Sequence, residues 1–282
     1  MLLAGLLLLL GGCSTVRLAY LGAPELSYWW LDSYLDFNSR QSPQVHEALH
    51  KWFRWHRSTQ LGTYAALLAR ARAQAIEPAT AAQACRWFDD ANALFDVAFE
   101  HAVPPLAEVL PSLTPQQLQH LARKYGKIND EMADDFLQES AEARQQASMK
   151  RILDRVETLY GKLDASQRTR VAGMVAQSPF DPALWLTERK QRQQDVLQTL
   201  RRLNSEHPAA AEAQAALRTL VQNARRSPND AYHAYQQRLL QYNCAIAAQI
   251  HNFTTPEQRQ AAMRKLKGWE DDLRLLAADA PA

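Results

Sequence analysis

Residues 230–253 read DAYHAYQQRLLQYNCAIAAQIHNF. Their large apolar side chains, Tyr232, Tyr235, Leu239, Tyr242, Ile246, Ile250 and Phe253, recur every three or four positions, the spacing of one helix face. Ala84, Trp87, Phe88, Ala91, Leu94, Phe95, Ala98 and Phe99 repeat the pattern. Stripes of this kind are expected in the core, because burying aromatic surface drives helix packing. Ile and Val together number only 15, and no segment alternates apolar and polar residues as a half-buried strand does. The expected fold is therefore all-α, an irregular multi-helix bundle of roughly eight helices.

Turn signals divide the chain at Pro104-Pro105 to Pro111, at Ser178-Pro179-Phe180-Asp181-Pro182, at His207-Pro208 and at Ser227-Pro228-Asn229-Asp230. Three helix starts share a grammar. Thr114, Asp164 and Thr255 each stand three residues before a glutamine, Gln117, Gln167 and Gln258, the pattern of a capping box. These starts resemble the Leu-Thr-x-x-Gln motif of small helical periplasmic chaperones, and capping alone explains them.

Composition sets the outer limits. The 282 residues carry a net charge of +2, which gives no electrostatic basis for binding nucleic acid. With 47% hydrophobic residues the chain can fill a core. Three cysteines are too few for a disulfide scaffold or a four-thiolate zinc site.

The first cysteine closes a different pattern. Leu2 to Leu10 form an apolar run too short to span a bilayer and suited to the core of a signal peptide. Leu10-Gly11-Gly12-Cys13 then resembles the lipobox of bacterial lipoproteins. That resemblance implies cleavage before Cys13 and acylation of Cys13 with three chains, more than the two membrane signals stable anchoring needs. Ser14, rather than Asp, implies sorting to the outer membrane. No Lys or Arg precedes the apolar run, a departure from the usual basic start of signal peptides. The expected organisation is a signal peptide over 1–12, a lipid-anchored segment over 13–40 and a helical domain over 41–282. Cys85 and Cys244 remain, either as a disulfide permitted by an oxidising envelope or as two separate buried thiols.

Residues 20–32, YLGAPELSYWWLD, start seven residues after Cys13 and are dense in aromatics. Trp and Tyr favour membrane interfaces, but a short helix packed on the bundle, with Asp32 and Asp36 exposed, is the stronger expectation. Together with Cys13-Ser14-Thr15-Val16-Arg17-Leu18, Tyr34-Leu35-Asp36-Phe37 and Trp55-His56-Arg57, this segment resembles a family of uncharacterised bacterial lipoproteins carrying a domain of unknown function. The resemblance runs along most of the mature chain, and it implies a location and a helical fold but no activity.

One motif has a catalytic look. His46-Glu47-Ala48-Leu49-His50 matches H-E-x-x-H, in which two histidines bind zinc and the glutamate activates water. His56 even holds the spacing of a third ligand, yet Phe53 stands where metzincins place the glycine that turns the chain. At 100° per residue Val45, Leu49, Trp52 and His56 share a face, with His46 and His50 on its shoulder. Arg57 projects between those two histidines, where a cation would oppose zinc, while Glu47 falls beside Lys51 and Arg54. A distant Glu77 or Glu100 is the remaining source of a third ligand. The expectation is a core-facing His56 beside two surface histidines, with no catalytic residue, metal or cofactor. His46 and His50 stay as the metal candidates of a rival reading, a zinc metallohydrolase.

The acidic run from Asp130 to Glu142 and the basic cluster Arg189-Lys190-Gln191-Arg192 read as solvated helix faces. The functional expectation is thus an outer-membrane lipoprotein facing the periplasm. It would act as a non-enzymatic interaction, adaptor or chaperone-like module, held to the membrane by lipid and working with an envelope protein partner.

Overall fold

A computed structural model describes residues 15–279; residues 1–12, expected as a signal peptide, and Cys13 lie outside the described residues. The helices are α1 (Thr15–Leu21), α2 (Ala23–Leu35), α3 (Gln41–Thr59), α4 (Leu61–Gln74), α5 (Ala81–Val109) and α6 (Pro115–Phe136). They continue with α7 (Ala141–Tyr160), α8 (Ala165–Ala176), α9 (Pro182–Glu206), α10 (Ala210–Arg225), α11 (Asp230–Phe253) and α12 (Pro256–Ala278). A 3₁₀ turn, Leu110–Ser112, links α5 to α6, and there is no strand among the described residues. The fold is an all-α bundle with more helices than the turn signals suggested. The extra breaks have weak signatures: α3 and α4 are separated only by Gln60, and α2 ends on Asp36 in the left-handed conformation at φ 50°.

One expected break does not occur. Helix α5 runs through Pro104 and Pro105 to Val109. Each interior proline removes a backbone bond, at about 3 kcal/mol. The buried Val103, Ala107 and Val109 beside them supply the packing that offsets this cost.

Two hydrophobic clusters organise the bundle. The first gathers Leu35, Leu110, Leu113, Leu118, Leu121, Leu200, Leu203 and Leu217 from α2, the 3₁₀ turn, α6, α9 and α10. The second joins Leu163, Val171, Ile246 and Ile250, with Met149, Ile152 and Val156 of α7 packed against them. Beside these, α4 lies along α12, where Leu61, Ala65, Ala262 and Leu276 are buried and Glu270 meets Arg72 at 3.2 Å and Arg274 at 3.1 Å.

Helix α11 seats its stripe as the periodicity predicts, with Tyr232, Tyr235, Ile246 and Ile250 buried. The stripe on α5 does not follow: Phe88 is 49% exposed, Phe95 53% exposed, and Ala91 is exposed too. Periodicity identifies an apolar face but not its cover. Helices α10 and α11 pack beside α5 without enclosing that strip. Cys85 of α5 is bonded to Cys244 of α11, with Cα atoms 5.3 Å apart across 159 residues of sequence.

Candidate functional site

The H-E-x-x-H segment sits in the first half of α3, and its surroundings are set by how α2 folds back on it. Asp36 N–H donates to Asp32 O at 2.8 Å, and Phe37 N–H to Asp32 Oδ1 at 2.8 Å, closing α2. Asn38 Oδ1 then accepts from Arg40 N–H and Gln41 N–H, which starts α3. Gln117 of α6 donates through Nε2 to Leu35 O at 2.9 Å and Asp36 O at 2.8 Å, tying down the reversal from outside. The result is an antiparallel pair in which residue numbers on α2 and α3 sum to a nearly constant value. Tyr28 stacks on His46 with ring centroids 3.7 Å apart and donates to Ser42 Oγ at 2.9 Å.

One turn earlier on α2, Glu25 meets both histidines of the motif. Its Oε1 lies 3.2 Å from His50 Nε2 and its Oε2 lies 3.6 Å from His46 Nδ1. One ligand atom from each of the three residues can be chosen so that all lie within 4.8 Å of one another. The cluster is half-exposed, open on one side to solvent.

The other residues singled out by the motif are placed elsewhere. Glu47 pairs with Lys51 at 2.7 Å and lines a groove toward α5, with Pro104, Pro105 and Glu108 across it. The Lys51 ammonium bonded to the Glu47 carboxyl holds it below the ordinary carboxylate range. Arg57 does not sit between His46 and His50: its Nε donates to Leu276 O of α12 at 2.7 Å. The helical projection that superimposed them ignores height, since Arg57 lies seven residues beyond His50, about 10 Å along the axis. Glu100 pairs with Arg218 at 2.9 Å, and Glu77 offers its carbonyl, not its carboxylate, to His251. Glu25 was missed because it lies on another helix at no motif spacing. The fold-back at Asp36–Asn38 was the one signal that could have found it.

His56 is core-facing. It is 7% exposed, stacked on Trp52 at 4.7 Å, and flanked by Tyr20 Oη at 2.8 Å and Tyr64 Oη at 3.1 Å. Burial pushes its pKa down to about 4. Tyr20 belongs to α1, so this hydrogen bond also docks the N-terminal helix on the body.

The opposite side of that N-terminal helix pair exposes large apolar side chains. Tyr28 and Leu35 point inward, but Leu26, Trp29 and Trp30 lie on the other face of α2, and Leu18 and Leu21 of α1 are exposed with them. Trp29 is 63% exposed and Trp30 60%. The expected packed helix is present, as two helices, and Asp36 is exposed; Asp32 instead caps the turn. No helix among the described residues is long and apolar enough to cross a membrane.

No curated protein and no solved structure matches the chain. A family model, described as a family of unknown function (DUF6279), does match residues 33–233, and the chain therefore belongs to that family.

Proposed function

We propose that the protein is a lipid-anchored, periplasm-facing lipoprotein of the outer membrane that works by binding an envelope partner rather than by catalysis. The observation that carries this reading is the outward apolar face of α1 and α2. Leu18, Leu21, Leu26, Trp29 and Trp30 are exposed within 5 to 17 residues of Cys13. Apolar side chains in water at this density are costly unless something covers them, and indole rings suit the boundary between lipid headgroups and acyl chains. A chain acylated at Cys13 brings this face to the bilayer without further machinery. The Cys85–Cys244 bond fits an oxidising compartment. The exposed Phe88 and Phe95 on α5 offer a partner surface.

The rival reading, a zinc hydrolase, asks Glu47 to activate a water held by His46 and His50. Glu47 is instead engaged by Lys51 and lines the groove toward α5, apart from the Glu25 cluster.

The test is envelope fractionation of the chain and its Cys13→Ala variant with labelled palmitate. The wild type should carry label and separate with the outer membrane, while the variant should be unlabelled and unprocessed. An unlabelled wild type, or equal processing of both, would overturn the proposal.

A further inference from the structure

We propose that Glu25, His46 and His50 form a divalent transition-metal site of the zinc class, which clamps helix α2 onto α3. The site is independent of the anchoring proposal and needs no catalysis.

The donor set comes first. Two imidazoles and one carboxylate suit zinc, and disfavour calcium or magnesium, which prefer all-oxygen shells. Metal–ligand bonds of about 2.0–2.1 Å in a tetrahedron put ligand atoms about 3.3 Å apart. Glu25 Oε1 lies 3.2 Å from His50 Nε2, close to that edge, and its Oε2 lies 3.6 Å from His46 Nδ1, each histidine being met by a different carboxylate oxygen. With one carboxylate oxygen serving both histidines, the three ligand atoms lie within 4.8 Å of one another.

Positioning is the second argument. His46 and His50 are four residues apart on one rigid helix, so their rings share a face about 40° wide. Tyr28 lies flat on His46 at 3.7 Å and is itself held by its bond to Ser42, which restricts the imidazole before any metal arrives. The cations that sequence placed nearby are occupied elsewhere, Arg57 at Leu276 O and Lys51 at Glu47. The solvent side leaves room for water as a fourth ligand, the arrangement of three-residue zinc sites.

The consequence is mechanical. Without metal, α2 is held to α3 at this point by half-exposed contacts of Glu25 with His46 and His50, which contribute little to stability. Metal bonds replace them with a fixed crosslink on the helix that carries Trp29 and Trp30.

The experiment uses the full, untagged chain in detergent, stripped of metal and titrated with Zn²⁺, then with Co²⁺ as a coloured probe. The expected result is one equivalent bound, with visible Co²⁺ bands characteristic of nitrogen and oxygen ligands in a tetrahedral field. Glu25→Gln, His46→Ala and His50→Ala should each weaken binding more than about tenfold. Glu47→Gln and His120→Ala should leave it unchanged. Circular dichroism confirms folding, and these exposed positions leave the core intact. Retention of wild-type affinity and Co²⁺ bands by the His46→Ala/His50→Ala double variant would overturn the proposal, as would a wild type that binds no equivalent.

Discussion

His56 and Tyr20 together couple burial to acidity. A neutral imidazole has one donor and one acceptor, so of Tyr20 and Tyr64 one donates to His56 and the other accepts from it. Burial removes the water that would solvate the charged imidazolium, which is why the pKa falls to about 4. The unfolded chain titrates near 6.5. Because the folded pKa is depressed, stability is complete above pH 6.5 and is lost progressively as pH falls toward 4. The expected loss from this residue is about 2–3 kcal/mol. Chemical denaturation at pH 7.5 and pH 4.5 should show that loss in the wild type and a smaller one in His56→Gln; equal losses would remove His56 as the cause. His251 is built alike: its Nε2–H donates to Glu77 O at 2.8 Å, its Nδ1 accepts from Tyr160 at 2.9 Å, and burial lowers its pKa. It titrates in both proteins, so the comparison isolates His56. That His56 faces the core was legible from its place on the Val45–Trp52 face. Its tyrosine partners lie 36 and 8 residues away, on α1 and α4, where no local spacing points to them.

Helix starts show where local reading works and where it stops. The boxes at Thr114, Asp164 and Thr255 are formed, and Thr80 with Gln83 adds a fourth. Capping depends on residues three apart, so sequence carries it. The second job of these glutamines is tertiary. Gln117 Nε2 also donates to the α2 carboxy end and to Gln41 Oε1 at 2.8 Å. Gln167 and Gln258 face each other at 2.7 Å, joining the starts of α8 and α12. Among the described residues Gln83 makes only its local box bonds with Thr80. Gln117→Ala should therefore cost about 2–3 kcal/mol, because it leaves the buried Leu35 carbonyl and the Asp36 carbonyl without this donor, against about 1 kcal/mol or less for Gln83→Ala. Thermal or denaturant unfolding of the two variants measures the difference, and equal costs would mean that the bonds to α2 contribute nothing. The same limit explains α5. Its apolar period was legible, but the exposure of Phe88 and Phe95 depends on which helices lie beside it.

At the scale of the molecule, two clusters and the α4–α12 pair make one body that the Cys85–Cys244 bond ties across. Closing a loop of 159 residues lowers the entropy of the unfolded chain by the equivalent of about 5 kcal/mol at 25 °C. The all-α class was readable from the stripes and from the scarcity of β-branched residues. The partnership of Glu25 with His46 and His50 was not, because it depends on the reversal between α2 and α3. The apolar face of α1 and α2 likewise emerges only once Tyr28 and Leu35 are seen to point inward. That face acquires a purpose if Cys13 is acylated, and the anchor is therefore the central claim. Intact mass spectrometry of the protein extracted from envelopes tests it most directly. The expected result is a chain that begins at Cys13 and carries the added mass of about three acyl chains. A chain that retains residues 1–12, with an unmodified Cys13 thiol, would contradict it.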